Sequence, residues 1–234
     1  MNERTFDDFD AHADGYRSVH TENIKLSGAD SFYFARMKVE LLQQSEKNIS
    51  LKVLDIGCGD GATELFMQQL FPQWQLFAID VSEKSINVAK ARGLSAVEFK
   101  VYNGTETGFA NDSIDIIFLA GVLHHVDFSL HNTILKEIYR LLKPGGRLYL
   151  FEHNPINPVT KYLVNTCVFD KDAHLLKSRY TTSLLKKARL KIDAKQFIIF
   201  FPRKGLLSNL IFLEKYLTWL PLGGQYFIRA IKTL

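Results

Sequence analysis

The chain has 234 residues, of which 47% are hydrophobic and 23% are charged, a composition that suits one sizeable globular domain. Its start, MNERTFDDFDAHADGY, is acidic and polar and lacks the apolar stretch of a secretory signal, and no apolar run is long enough to span a bilayer. Two cysteines, Cys58 and Cys167, give no disulfide framework. We therefore expect a cytoplasmic protein.

The net charge of +4 is unevenly distributed. Residues 1–170 carry 16 basic and 22 acidic side chains, whereas residues 171–234 carry 13 basic and 3 acidic ones. A basic end with interleaved aromatic residues predicts attraction to an acidic substrate or a membrane surface, or else lysines that solvate the outer faces of helices. No nucleic-acid-binding motif is present, and a pI of about 8.9 is not extreme. We expect no nucleic-acid partner.

Short apolar runs alternate with stretches of helical spacing after a polar, partly helical arm at 1–48. The runs KVLDIG, WQLFAID, AVEFKVY, SIDIIFLAG and RLYLFE predict five strands. Helices are predicted at ATELFMQQLF, at SEKSINVAKARG and at LHNTILKEIYRLL, which KPGG should close. Ser82 and Gly93 are the predicted N-cap and C-terminal stop of the second helix. This alternation predicts a doubly wound, Rossmann-like α/β fold with a mostly parallel sheet.

Two insertions are predicted after the fifth strand, at 153–180 and 203–222, within a main domain of residues 49–234. The first should be a long irregular region of loop and helix, and long loops in compact domains commonly form lids or binding sites. Between and after the insertions, TTSLLKKARL predicts a helix, and KQFIIFFP and QYFIRAIK predict two strands that could pair as an antiparallel end of the sheet. We expect both insertions to contact substrate.

Polar or glycine-rich residues follow each of the five predicted strands. In parallel sheets of this kind, ligands bind beyond the carboxyl ends of the strands. The five tips are Asp55–Gly61, Asp80, Asn103, Ala120–His125 and Glu152–Asn154. Their convergence on one rim predicts a ligand site there.

The glycine loop by itself leaves the ligand open. Residues 57–62, GCGDGA, satisfy the dinucleotide-binding pattern, and Asp80 stands where the ribose-binding acid of an NAD-dependent oxidoreductase would be. However, Asp55 and Asp60 would place carboxylates beside a pyrophosphate. A ligand with a cationic portion suits this loop better.

Four blocks together point to a family. VLDIGCGDG, FAID, SIDIIFLAGVLHHV and LKPGGRLYL, in this order across residues 53–151, resemble the class I S-adenosylmethionine-dependent methyltransferases. The resemblance implies S-adenosylmethionine as cofactor and a seven-stranded sheet of order 3-2-1-4-5-7-6, with strand seven antiparallel. The segment after Glu152 also resembles bacterial small-molecule enzymes associated with surface-glycan and other small-molecule pathways.

The resemblance also implies roles along the rim. The methionine moiety is expected at the glycine loop with Asp55 near its amino group, and Asp80 is expected to accept hydrogen bonds from both ribose hydroxyls. Asn103 stands where the family commonly has the Asp that receives the adenine amino group, and its carbonyl oxygen could accept that bond. Tyr16 resembles an aromatic residue of an arm that closes over the cofactor, or is a surface aromatic of a docking helix. The predicted cofactor-binding residues are Tyr16, Asp55, Gly57, Cys58, Gly59, Gly61, Asp80, Val81, Asn103, Gly104, Ala120 and Gly121.

The candidate catalytic residues lie at the tips of strands four and five. They are His124, His125, Glu152 and His153. Histidine is the best general base near neutral pH, and Glu152 could orient His153. The alternatives are that the His pair only begins the next helix, and that Glu152–Asn154 only fixes the following loop. No metal is expected, since adjacent histidines rarely face one ion.

A hydroxyl acceptor requires removal of a proton, so the available histidines favour O-methylation. The predicted acceptor is a small or lipid-linked molecule, such as a sugar or a quinone-like ring, and the basic C-terminal segment would suit an acidic one. That segment could equally contact a membrane surface peripherally or form a homodimer. The alternative functions are a non-catalytic cofactor-binding partner subunit or a peripheral membrane module.

Overall fold

The computed structural model describes residues 30–167 and 173–233. Tyr16 and most of the predicted arm lie outside the described residues. The described α-helices are α1 Ser31–Gln43, α2 Ala62–Leu70, α3 Glu83–Ala91, α4 His131–Leu141, α5 Pro158–Thr166, α6 Ser178–Lys187 and α7 Glu214–Leu217. The 3₁₀ helices of the same described ranges span Leu123–His125 and Leu206–Leu213.

Seven strands form one sheet of order β3-β2-β1-β4-β5-β7-β6, which confirms the predicted topology. Strand β7 is antiparallel to both neighbours, while β1 to β5 run parallel. The strands are β1 Lys52–Ile56, β2 Gln75–Asp80, β3 Val97–Val101, β4 Ile114–Ala120, β5 Leu142–His153, β6 Leu190–Ile198 and β7 Gln225–Lys232. Because the chain order reverses between β1 and β4, a crevice is expected beyond their carboxyl ends.

Strand β4 shows why the sheet is covered on both faces. Ile116 and Phe118 pack in the layer that contains α1 and α2, whereas Ile117 and Leu119 pack in the layer that contains α4 and α6. All four side chains are fully buried. Successive side chains of a strand point to opposite faces, so a nearly continuous apolar run is what a central parallel strand requires.

Hydrogen bonds at their first turns fix the positions of two helices. The Ser82 side chain accepts from Ser85 N at 3.1 Å, and Gly93 follows α3 with a φ of +68°, as predicted. Asn157 caps α5 by accepting from Thr160 N at 2.9 Å, with Pro158 in the first turn. The segment after β5, predicted as an inserted region of loop and helix, therefore contains a helix, because an Asn cap followed by Pro begins one there.

Two predicted boundaries also need correction. Helix α4 ends at Leu141 and β5 begins at Leu142, so KPGG lies within the bounds of the strand rather than between helix and strand. Strand β6 begins at Leu190, five residues before the predicted run, because its pairing with β7 starts at Leu190 opposite Lys232. Within the described residues, no helix combines the length and apolarity that crossing a membrane would require.

Candidate active site

The glycine loop between β1 and α2 is held close to the neighbouring strands. Gly57 N donates to Ile79 O at 2.8 Å, and a Cβ on Gly57 would lie 2.4 Å from Cγ2 of Val122. Gly59 has a φ of +55°, and among the described residues no atom lies within 4 Å of the position its Cβ would take. Gly57 thus provides close packing against the tip of β4, while Gly59 leaves open space at the rim.

Asp80 joins the ends of β1 and β2. Its Oδ2 accepts from Gly59 N at 2.8 Å, and its Oδ1 accepts from Ser82 N at 2.9 Å. The side chain is half-buried, as is Val81, whereas Cys58 is buried and its burial raises the pKa of its thiol. The carboxylate therefore holds the glycine loop in place at the position where the sequence predicted a ribose contact.

Two buried carboxyl groups lie beneath the loop. Asp55 is 3% exposed and Glu64, in the first turn of α2, is 1% exposed. Burial raises the pKa of Asp55, and burial together with the Asp55 charge raises that of Glu64. The two side chains interact directly, since their contact lowers the pKa of Asp55 against the effect of burial and raises that of Glu64 further. A cation bound beside this pair would be stabilised by its negative charge.

Lys38 of α1 brings a positive charge to the same region. Its Nζ lies 5.9 Å from the centre of the Phe151 ring. Burial lowers the pKa of Lys38 to about 8, while the nearby carboxylates of Glu152 and Asp55 oppose that change. The ammonium group therefore lies near both the β1 and the β5 tips.

Asp60 does not act as a second ligand-facing carboxylate. Its Oδ2 accepts from Arg92 Nη2 at 2.5 Å, and its backbone oxygen accepts from Arg92 Nε at 2.5 Å. Asp60 is itself buried. The carboxyl groups that would disfavour a phosphate at this loop are therefore those of Asp55 and Glu64.

Asn103 is occupied by its own loop. Its Oδ1 accepts from Thr105 N at 3.0 Å, from Thr105 Oγ1 at 3.3 Å and from Glu106 N at 2.7 Å. The side chain is exposed, and Gly104 follows with a φ of +85°. The oxygen expected to receive an adenine amino group thus already fixes an Asx turn. Phe109, nearby in sequence, packs edge-on against Phe77 at 5.2 Å between ring centres.

The tips of β4 and β5 form a buried dyad. Nδ1 of His124 lies 2.5 Å from Oε2 of Glu152, and Oε1 of Glu152 accepts from Leu123 N at 2.9 Å. Both side chains are about 2% exposed. The expectation that Glu152 orients His153 was wrong, because both of its oxygens bond to the residues that follow β4.

Gly121, directly after β4, lies close to the dyad. Gly121, at a φ of +71°, donates from its N to Phe151 O at 2.9 Å, and a Cβ on it would lie 3.5 Å from Cε1 of His124. The half-buried Ala120 precedes it. A side chain at position 121 would therefore be in van der Waals contact with the imidazole of His124.

Further histidines surround His124. The ring centre of His125 is 4.2 Å from that of His124, and the ring of His153 is 5.3 Å away. His131 is structural, since its Nε2 lies 2.9 Å from Leu123 O and its Nδ1 lies 3.0 Å from Tyr180 Oη. Within residues 30–167 and 173–233, no group of three or more His, Cys, Asp or Glu side chains is arranged to hold a metal ion.

Two charged residues of this region escaped sequence interpretation. Glu64 lies on the same side of α2 as the buried Met67, and Lys38 lies three residues after Ala35 and four before Leu42, both buried. A charged side chain within the apolar stripe of an amphipathic helix was the available signal. That signal shows burial, but it does not show which strand tip the charge will meet.

This chain resembles known methyltransferases. A family described as "Methyltransferase domain" matches residues 53–146. The demethylmenaquinone methyltransferase of Lactococcus lactis is 29% identical over 82% of this chain and 81% of that enzyme. Phosphoethanolamine N-methyltransferase 1 of Arabidopsis thaliana is 28% identical over 53% of this chain, but the match spans only 26% of the plant enzyme. A methyltransferase structure from Thermotoga maritima has a TM-score of 0.68 at 18% identity, covering 98% of this chain and 100% of that one.

Proposed function

The chain belongs to the class I S-adenosylmethionine-dependent methyltransferases, and we propose that it transfers a methyl group to a hydroxyl of a small-molecule acceptor, with His124 as general base. Its cofactor is S-adenosylmethionine and its acceptor is a small molecule. The family excludes the oxidoreductase alternative that the glycine loop left open. Two points are our proposals: that the methyl group is transferred to an oxygen atom, and that His124 is the general base.

The cofactor is proposed to lie along the ends of β1 to β4. Asp80, held half-buried at the tip of β2, would accept from the ribose hydroxyls, and the open space at Gly59 would admit the ligand close to the backbone. The acid pair of Asp55 and Glu64 would face its cationic portion. Residues 1–48, which include Tyr16, are proposed to form a lid over this site. Residues 49–234 are proposed to form the main domain.

The observation that carries the proposed chemistry is the buried contact between His124 and Glu152. A carboxylate on Nδ1 selects the tautomer in which Nε2 carries no proton, and its charge stabilises the imidazolium that forms when Nε2 takes one. The bond of Glu152 to Leu123 N fixes the carboxylate and so the ring. The sulfonium methyl is already electrophilic, so the remaining tasks are deprotonation and in-line placement of the acceptor.

The relative from Lactococcus lactis supports a quinol-like ring as acceptor. A hydroxylated ring must lose a proton whether its oxygen or its carbon is methylated, so the dyad serves either outcome. We propose oxygen because it is the atom that the base deprotonates. His125 and His153, which flank His124, are proposed to contact the acceptor.

The test is product identification with trideuteromethyl-labelled cofactor. The purified chain is incubated with hydroquinones, catechols, sugars and phosphoethanolamine, and products are assigned by mass spectrometry and NMR. A labelled O-methyl product supports the proposal. A labelled C-methyl or N-methyl product contradicts it while leaving the family intact, and cofactor binding without any product would favour the partner-subunit alternative.

A further inference from the structure

An unusual amount of apolar side-chain surface is exposed between β6 and β7. Leu206 is 86% exposed, Trp219 72%, Tyr216 64% and Phe212 63%. Phe212, near the end of the 3₁₀ helix, lies four residues before Tyr216 of α7, and Trp219 follows in the turn directly after α7, so the three lie within eight residues of one another. Soluble monomers rarely expose large apolar side chains in such a cluster, and those that do generally use them for binding.

A second group of apolar side chains lies on α5 and the residue before its cap. Ile156 is 50% exposed, Val159 55% and Tyr162 58%. They occur every third residue, while Thr160 and Val164 on the other side of α5 are buried. Both groups together are called the apolar surface below.

Hydrogen bonds fasten the two groups together. Asn157 Nδ2 donates to Leu222 O at 2.7 Å, and Thr160 Oγ1 donates to Gly224 O at 2.9 Å. Leu222, at this junction, is itself 50% exposed. The turn before β7 is thus fixed against the first turn of α5, so the two groups meet at that turn.

The apolar surface begins beside the candidate site. Asn154 directly follows His153 at the end of β5, and its N donates to Gly224 O at 3.0 Å. His153 is paired with Gln225, the first residue of β7. A molecule that reached the rim from this surface would meet the β5 tip first.

The charges around the apolar surface have one sign. Residues 154–167 and 194–224 contain five basic side chains and one acidic one. The acidic residue, Glu214, is occupied, since its Oε1 accepts from the backbone N of Phe200 and Phe201 and its Oε2 accepts from Arg203. The remaining basic residues are the exposed Lys161, Lys195, Lys204 and Lys215.

We propose that the apolar surface docks on anionic lipid bilayers and brings the site to an acceptor dissolved in the membrane. Exposed Trp, Tyr, Phe and Leu with surrounding lysines are what an interfacial segment needs, because the apolar groups enter the acyl boundary while the lysines meet anionic headgroups. Interfaces between protein chains are depleted in lysine relative to the rest of the surface, which makes a bilayer the better match for this charge. Only the purpose of the docking rests on the proposed function.

The two tryptophans of the chain make the proposal directly measurable. Trp219 is 72% exposed, whereas Trp74 is 3% exposed and stacks on Phe71 at 3.7 Å. Titration of the full chain with vesicles of phosphatidylcholine and phosphatidylglycerol should shift the emission of Trp219 to shorter wavelength, and the Trp219→Phe variant should lose that shift. Binding should weaken with added salt and with vesicles of phosphatidylcholine alone.

Variants of the surface should quantify the contact by co-sedimentation with the same vesicles. Leu206→Ser with Phe212→Ser should weaken binding by about tenfold or more, since each removes apolar area that would leave water. The matched control is Ile49→Ser, because Ile49 is 51% exposed but precedes β1, at the opposite end of the strands. The control should bind as the unmodified chain does.

Binding is measured without acceptor, so its failure is separate from failure of the proposed reaction. Absence of binding to anionic vesicles at low salt overturns the proposal. So does a lipid-free chain that sediments as a dimer and becomes monomeric in the Leu206→Ser, Phe212→Ser variant, because a second copy would then be the occupant. Strong protection of Trp219 from acrylamide before lipid is added would likewise show that this surface is already covered.

Discussion

The two halves of the rim are built in different ways. At the ends of β1 and β2, the groups that face the site are glycine backbone and a carboxylate held by backbone N–H groups, as Asp80 is by Gly59 and Ser82. At the end of β5, the site depends on a contact between side chains, His124 and Glu152, and it leads into segments whose apolar side chains are exposed. Backbone geometry sets the first half, and side-chain packing sets the second.

The halves also differ in charge. The β1 side contains the buried acids Asp55 and Glu64, whereas the segments after β5 carry an excess of lysines. An acidic half suits a cofactor with a cationic portion, and a basic half suits an anionic surface or acceptor. The comparison predicts that changes in the first half alter cofactor binding and that changes in the second alter transfer or docking.

The largest effect is expected at Asp80. Asp80→Ala should weaken S-adenosylmethionine binding by roughly 100-fold or more, because it removes two charged hydrogen-bond acceptors and frees the N–H groups of Gly59 and Ser82. Calorimetric titration measures the change. The control is Asp115→Asn, at the amino end of β4, where Asp115 accepts from Lys143 Nζ at 2.8 Å. Unaltered affinity in Asp80→Ala would remove Asp80 from the cofactor site.

The dyad should give the next largest effect, confined to the transfer rate. Glu152→Gln and His124→Asn should each lower kcat by about 100-fold or more with the identified acceptor, since both remove the oriented base. Cofactor affinity should change little, which calorimetry checks. His153→Gln is the matched comparison and should lower kcat less, because Glu152 contacts His124 instead. Equal loss in His153→Gln, with full activity in His124→Asn, would move the base to β5.

The same contrast explains what the sequence could predict. The sheet order and the positions of Asp80 and Gly59 follow from strand patterns and a glycine loop whose geometry is local. The partner of Glu152 depends on how the β4 and β5 tips pack, and these tips are 28 residues apart in the chain. The bounds of helix α5 were not predicted, because its cap at Asn157 lies among turn-forming residues, which also predict a loop. Nothing in the pattern ties Asn157 to Leu222.

A smaller effect, dependent on pH, is expected from the acid pair. Burial raises the pKa of Asp55 to about 7 and raises that of Glu64 as well. The folded chain therefore retains protons that the unfolded chain releases, and its stability should fall as pH rises from about 4 to about 7. Ionisation over the same window should tighten cofactor binding, by up to about tenfold per pH unit for one proton.

Glu64→Gln should flatten both trends, as thermal unfolding and calorimetry across this window would show. A glutamine at this position has no proton to lose, so the variant avoids the ionisation that burial opposes at Glu64 and should be more stable than the unmodified chain above about pH 7. Glu137→Gln is the control, because hydrogen bonds from Arg140 hold the pKa of Glu137 below its ordinary value, a shift opposite to that of Glu64. If the stability of Glu64→Gln fell with pH as steeply as that of the unmodified chain, Glu64 would not be a source of this pH dependence.

The smallest effect is expected at Asn103, at the tip of β3. Here a side chain fixes a backbone turn, so this tip combines features of both halves of the rim. If Asn103 only fixes its loop, Asn103→Asp should leave cofactor affinity within about twofold, because a carboxylate accepts from Thr105 and Glu106 equally well. Asn103→Ala should weaken binding by several-fold at most, since the loop loses its anchor. If Asn103 instead receives the adenine amino group, the charged acceptor in Asn103→Asp should tighten binding about tenfold. Tighter binding in Asn103→Asp would thus restore the adenine contact that the sequence predicted, and unchanged binding would show that a backbone turn, rather than a side chain, defines this tip.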